Sequence, residues 1–247
     1  MESRDKIIKY LDELLNITEF TDYCPKGLQV EGKLHVKKIV TGVSASRELF
    51  EKAHANSADM VIVHHGIFWD KDSRVIQGAL KKRLISLLSK DITLLAYHLP
   101  LDAHQGIGNN GLAARALGIQ TPTPFAEVGL YGQLVDPYES EALFKKVSEF
   151  YGSELLKFTY GPPEIRSIGI CSGGCQGHLV DAINLNLDCF ITGEAGEFVM
   201  HLAKESKIHF IAAGHYATEC PGIKALGEHL AEEFEVEVEF IDIPNPV

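Results

Sequence analysis

Short apolar runs recur along the chain: "KIVTGV", "MVIVHH", "ITLLAYH", "SIGICS", "CFITGE" and "HFIAAGH". Between them lie stretches whose apolar residues fall at helical spacing, such as "SRELFEKAHANSA" and "HLVDAINLNL". Alternating strand and helix patterns predict an α/β fold. The strands are apolar without interruption rather than at every second position, so both sheet faces should be covered by flanking helices. The tail "VEVEFIDIPNPV" alternates and predicts a last strand, ending where Pro244 and Pro246 exclude central pairing.

The pattern also repeats. Lys37 to Gly66 lies over Arg166 to Ala195 without gaps, setting Ile39 on Ile168, Ala53 on Ala182, Asp59 on Asp188 and Ile62 on Ile191. In this register His64-His65-Gly66 falls on Gly193-Glu194-Ala195. Further along, "HLPLD" from His98 matches "HYATE" from His215: a histidine, three residues, then an acid, each after an apolar strand. Two copies of one strand-helix-strand-helix-strand unit are expected. Between them the texture changes: "PTPF" reads as a turn, "VGLYGQLV" as a strand, "ESEALFKKVSEFYG" as an amphipathic helix and "LLKFTYG" as a strand, with "GPP" closing the segment. The expected division is a first α/β half over 1–120, a small inserted α+β segment over 121–164 and a second α/β half over 165–247, the halves forming one compound domain.

Composition narrows the function classes. With 45% hydrophobic and 23% charged residues in 247, the chain reads as a globular protein with a sizeable core. A formal charge of −11 argues against a broad nucleic-acid surface or an anionic membrane face. No window approaches the roughly 18 apolar residues of a membrane span, and "MESRDKIIKYLDELL" has helical rhythm, so a cytoplasmic protein is expected. The five cysteines, "CSGGC" included, read as free thiols.

Adjacent histidines are an unusual end for a buried strand. Successive strand residues face opposite ways, so His64 and His65 can both serve one ligand site only where the strand ends, and Gly66 lets the backbone turn there. His98 and Asp102 follow a second strand, and His215 and Glu219 a third. Pro221 suits a first helical turn, so His215 to Cys220 is expected as a loop running into that turn. Three strand ends with four histidines and two acids point to a metal centre at the carboxyl edge of a parallel sheet. A nitrogen and oxygen donor set suits zinc, iron, manganese or nickel. A paired site would acidify a shared water and neutralise charge on a phosphate or heteroaromatic substrate. "GICSGGCQGH" has Ser172 where a dinucleotide fingerprint needs its first glycine, so it either offers backbone N–H groups to an anion or only turns tightly. "KKR", Lys81 to Arg83, reads as a solvated helix face.

At "VIVHHG", "HLPLDAH" and "AAGHYATE", with "GLQVEG" and "IDIPNPV", the sequence resembles the GTP cyclohydrolase type-two homologues, also called NGG-one-interacting-factor-three-like proteins, over essentially its whole length. The resemblance, to the bacterial branch, implies two intertwined, duplicated α/β halves, a toroidal homohexamer and two divalent metal ions per subunit. It implies ligands at His64, His65, Asp102, His215 and Glu219, with Glu219 bridging, and His98 close by either as a residue that supports the ligands from outside or as a proton carrier. Glu194 sits in a matching "TGE" segment whose role stays open. The activity implied is hydrolysis of a nucleotide-like substrate: opening of the guanine ring of GTP, or removal of damaged nucleotides. A metal-binding scaffold or adaptor is the alternative, since fold and ligands transfer more safely than substrate.

Overall fold

The computed structural model describes every residue from Met1 to Val247. The strands are β1 (Glu2–Ser3), β2 (Gly27–Val30), β3 (His35–Val36), β4 (Lys38–Ser44), β5 (Met60–His65), β6 (Thr93–Ala96), β7 (Ile119–Phe125), β8 (Gly129–Glu139), β9 (Leu156–Thr159), β10 (Glu164–Cys171), β11 (Cys189–Thr192), β12 (His209–Ala212) and β13 (Glu237–Phe240). The helices are α1 (Arg4–Leu14), α2 (Arg47–Ala55), α3 (Gly78–Leu88), α4 (Leu99–Ala103), α5 (Asn109–Leu117), α6 (Ser140–Tyr151), α7 (Leu179–Asn184), α8 (Val199–Ser206) and α9 (His215–Glu233). No helix is long and apolar enough to cross a membrane.

The chain packs as two compact units, Met1–Leu101 with Ile223–Ile243, and Asp102–Gly222 with Pro244–Val247. The first holds a five-stranded sheet in the order β13-β4-β5-β6-β2, the second a six-stranded sheet in the order β7-β8-β10-β11-β12-β9. The segment 121–164, expected as an insert, contributes β8 and β9 to that second sheet. "PTPF" is not a turn. It lies in β7, whose register against β8 shifts between Gln120 and Thr123, an edge position where prolines cost no central hydrogen bond.

The repeat is real in the backbone. β4 and β5 run parallel with Ile39 opposite Met60, and β10 and β11 run parallel with Ile168 opposite Cys189, the same pairs in the gap-free overlay. The repeated aspartates explain part of the register. Asp59 Oδ2 accepts from the backbone N–H of Lys37 and of Lys38 at 2.9 and 3.4 Å, and Asp188 Oδ2 accepts from Arg166 and Ser167 at 2.8 and 2.9 Å. Each carboxylate thus ties the start of one strand to the start of the next.

Both faces of the parallel strands are buried, as continuous hydrophobicity demands. In the first unit Val61 and Val63 pack with Leu49 and Phe50 of α2 and Leu87 of α3, while Met60 and Ile62 on the other face are equally inaccessible. In the second, Ile168, Ile170 and Ile191 pack with Leu143 and Val147 of α6 and Leu117 of α5. Full burial of each such side chain stabilises the fold by about 1.5–3 kcal/mol. Lys81 and Lys82 lie on the exposed face of α3.

The cysteines depart from expectation. Cys171 and Cys175 form a disulfide, while Cys24 and Cys189 are buried thiols. The turn between the first two brings their Cα atoms to 5.8 Å, inside the range a disulfide spans, a closeness that spacing alone does not reveal.

Candidate functional site

In the first unit the carboxyl ends of β4, β5 and β6 gather Ser44, His64, His65 and His98. His64 is inaccessible to solvent and His65 half-buried. The three imidazoles form one cluster, with ring centroids 4.8 Å apart for His64 and His65, 5.0 Å for His64 and His98, and 5.5 Å for His65 and His98. His64 Nδ1 meets the Tyr97 carbonyl at 3.0 Å and His65 Nδ1 meets Ser44 Oγ at 3.1 Å. Gly66 does not take the positive φ that a tight turn would use. A Cβ there would displace the amide of Gln29, whose Oε1 accepts from the Ile67 N–H at 2.8 Å.

His98 is held by a residue that no spacing argument picked out. Asp22 Oδ1 lies 2.8 Å from His98 Nδ1, with the carboxylate fully buried, and Asp22 Oδ2 accepts from the Leu99 N–H at 3.0 Å. Burial alone would raise the Asp22 pKa; the hydrogen bond and charge of His98, with the Leu99 and Tyr23 amides, outweigh it and hold the carboxyl below its ordinary value. The neighbouring Cys24 thiol is pushed up to about 12 by burial and by Asp22, so it offers no thiolate.

The second unit has its own cluster of acids and polar side chains. Asp102 is buried on α4, and both Asn109 Nδ2 (2.8 Å) and Ser172 Oγ (2.7 Å) donate to its Oδ1, fixing the carboxylate. Asn110, also buried, binds the Ser172 N–H through Oδ1 at 2.9 Å and Ser172 Oγ through Nδ2 at 3.1 Å. The Gly173 N–H donates to Thr218 Oγ1 at 3.0 Å. The first two amides of the "SGG" turn are therefore spent inside the protein, which removes those two from anion binding.

His215 to Cys220 is helix, not loop. α9 starts at His215 and carries Pro221 inside it. The helix continues past proline because the Gly222 N–H donates to Asn109 Oδ1 at 2.7 Å, an outside partner where the ladder is disturbed. Being helical, His215 and Glu219 share a face. His215 Nε2 lies 3.1 Å from Glu219 Oε1, and its Nδ1 lies 2.5 Å from Glu194 Oε1. Burial disfavours the charged ring, but Glu219 and then Glu194 outweigh it and raise the His215 pKa to about 9. Glu194, the repeat's counterpart of His65, thus orients His215.

Every one of these four imidazoles has its Nδ1 engaged by a backbone carbonyl, a hydroxyl or a carboxylate. In the neutral ring of His64 or His98, where the acceptor is a carbonyl or carboxylate, Nδ1 is the N–H nitrogen and Nε2 keeps the lone pair; His215 faces a carboxylate at both nitrogens and carries a proton on each until a metal takes the place of the one on Nε2. Metal-binding histidines are held in this way, and the partner both fixes the ring and raises its basicity. The oxygen and nitrogen donors in each unit fit a hard or borderline divalent cation.

Comparison with known proteins agrees with this reading of the fold. The family model for Duf34/NIF3 (NGG1p interacting factor 3) matches residues 2–246. The chain belongs to the NIF3 family. A Yersinia pestis protein named GTP cyclohydrolase 1 type 2 homolog is 46% identical over 237 residues, covering 96% of each chain. The solved structure of the protein ybgI, described as of unknown function, superposes with a TM-score of 0.95 at 44% identity over 100% of both chains. A protein from Thermus thermophilus superposes with a TM-score of 0.93 at 36% identity, again over 100% of both. Sequence reading placed the NIF3 chain's histidines and acids on strand ends and missed their holders: Asp22, Ser44, Asn109, Asn110 and Ser172. The adjacent asparagines of "GNNG", buried at a helix start, were the one visible signal.

Asp22 can be tested alone. Asp22→Asn keeps the side chain's shape and removes the charge that orients His98; turnover of any substrate this site processes should fall about 10–100-fold with metal content unchanged, and Asp22→Glu should restore part of it. Loss of metal from Asp22→Asn would instead make Asp22 part of the cation's cage.

Proposed function

We propose that the protein is a metal-dependent hydrolase of a nucleotide-like substrate, with His64, His65, Asp102, His215 and Glu219 holding two divalent ions. The observation that carries this is the tethering of four imidazoles at Nδ1: His64 and His65 at the end of β5, His98 just after β6 and His215 at the start of α9. Glu219 is the acid suited to lie between two cations, being buried and already facing His215. When bound, such ions supply Lewis acidity and lower the pKa of a coordinated water. His98, held by Asp22 and less enclosed than His64, carries the proton between water and leaving group. Asp102, fixed by Asn109 and Ser172, keeps its place without induced movement.

The same proposal includes self-association as a hexamer: Ile85 and Leu88, three apart on α3, are each more than half exposed, as a face covered by another subunit would be. The test is turnover by purified, manganese- or zinc-loaded protein of GTP and of oxidised guanine nucleotides, beside Glu219→Ala. Formate or phosphate release by the parent and none by the variant supports the hydrolase. Stoichiometric metal with no turnover of any of them would favour a binding scaffold.

A further inference from the structure

The turn that leaves β10 touches the groups that shape the second unit's site, and a disulfide closes it. Cys171 ends β10 and is bonded to Cys175, so the link encloses Ser172, Gly173 and Gly174. Gly173 is the hub. Its N–H donates to Thr218 Oγ1 at 3.0 Å, beside Glu219 on α9. Its carbonyl accepts from the Gly193 N–H at 2.9 Å and from Thr192 Oγ1 at 3.1 Å, at the strand end that leads to Glu194. Its Cα is in turn packed against the acid and the imidazole: a Cβ there would overlap Glu219 Oε1 and stand 3.2 Å from His215 Nε2. Gly173 has φ +66° and is followed by another glycine, so without the cross-link this backbone has wide conformational freedom. The two sulfurs differ in access. Cys171 is inaccessible to solvent and Cys175 only half-buried. The Ala126 carbonyl lies 3.7 Å from Cys171 Sγ, an acceptor for the S–H that only a reduced Cys171 carries.

We propose that Cys171 and Cys175 form a reversible thiol–disulfide exchange site, opened by a dithiol reductant, that sets how tightly the second unit holds a metal ion. The inference rests on His215 and Glu219 being ligands. A thiolate of the reductant attacks Cys175 Sγ, the more accessible sulfur; the S–S bond breaks, and Cys171 leaves with the electron pair and takes up a proton. The second thiol of the reductant then attacks the mixed disulfide and releases Cys175 as a thiol. Two electrons and two protons have passed to the protein, and the reductant has become a disulfide. Exchange with an oxidised dithiol of the same class runs these steps in reverse. With the bond closed, the turn holds Gly173 in place against Glu219 and His215. With the bond open, the Gly173-Gly174 backbone moves more freely, and the two side chains lose part of the preorganisation that favours binding.

The test uses the full-length protein in two forms, one equilibrated with an oxidised dithiol and one with the reduced dithiol, the reagent then being removed without air. Alkylation of the unfolded oxidised chain should label Cys24, Cys189 and Cys220 and spare Cys171 and Cys175; the reduced chain should be labelled at all five. In metal-free protein, amide exchange over Ser172 to Gly174 should be roughly five-fold faster after reduction, and manganese should bind the reduced form roughly five-fold more weakly. Cys175→Ser cannot form the bond and keeps Cys24, Cys171, Cys189 and Cys220. It should match the reduced parent in exchange and in manganese affinity, with no response to either treatment and an unchanged circular dichroism spectrum. A Cys171–Cys175 bond that never forms, or that the folded protein does not yield to the dithiol, overturns the proposal. So does a response that persists in Cys175→Ser, or equal manganese affinity in the two forms of the parent, and neither result touches the metal centre itself. No manganese binding by either form would overturn the metal centre and this control of it together.

Discussion

Gly173→Ala should strip the protein of bound metal and lower its melting temperature, although it adds a single methyl group. Gly173 has φ +66°, where an L side chain costs about 1–2 kcal/mol. A Cβ built there overlaps Glu219 Oε1 and comes to 3.2 Å from His215 Nε2. The helix backbone that carries Glu219 is anchored by Asn109 and Thr218, so the end of the Glu219 side chain is what must give way. Backbone strain and a displaced buried carboxylate together should cost about 2 kcal/mol or more, which for a chain of this length is a fall of about 4–8 °C in Tm. Metal content after equilibration with limiting manganese should drop at least tenfold. Gly177→Ala is the control, since a Cβ at that glycine meets nothing within 4 Å and its φ is not positive. If Gly173→Ala keeps its metal and its Tm, the Glu219 and His215 side chains yield to the added methyl group and their placement does not control metal binding.

The fold was far more legible in the sequence than the arrangement of the site, and the reasons are physical. Strand and helix periodicity, the repeat and its register are encoded in residues that act locally or in mass, such as Ile39 and Ile168 or Asp59 and Asp188, and the strand pairing reproduces the overlay residue for residue. The ligand candidates could be picked out because an adjacent histidine pair and two His-x-x-x-acid runs each follow an apolar strand. Their holders were not. Asp22 lies 76 positions before His98, and Ser172 lies 70 after Asp102, distances over which no spacing rule operates. The helix over His215 to Cys220 was hidden by Pro221, because the side chain that relieves the proline's effect, Asn109, is 113 residues away from the amide it satisfies. The disulfide was hidden for the opposite reason: Cys171 and Cys175 are close in sequence, but only the turn at Ser172 to Gly174 makes them close in space.

Glu219→Gln should weaken metal binding by at least 100-fold and change its pH dependence, a result that separates charge from shape. The amide is isosteric with the acid and fits the same buried position at the first turns of α9. What it removes is the larger of the two carboxylate influences that raise the His215 pKa from its ordinary 6.5 to about 9. Without metal, that raised value stabilises the folded chain fully below about 6.5, and the contribution is lost as the pH climbs through about 9. With metal, His215 must give up its proton to coordinate, so binding strengthens as the pH rises over the same interval. The two states therefore respond to pH with opposite signs, and manganese uptake at pH 7.5 should release about one proton from His215, read as calorimetric heats that differ between buffers of different ionisation enthalpy. In Glu219→Gln the His215 pKa falls, the proton released shrinks towards zero, and the metal-free protein loses its extra stability below pH 9. No proton release by the parent protein at pH 7.5 would mean that His215 does not coordinate the metal, and an unchanged release in the variant would mean that Glu194 alone holds the His215 proton.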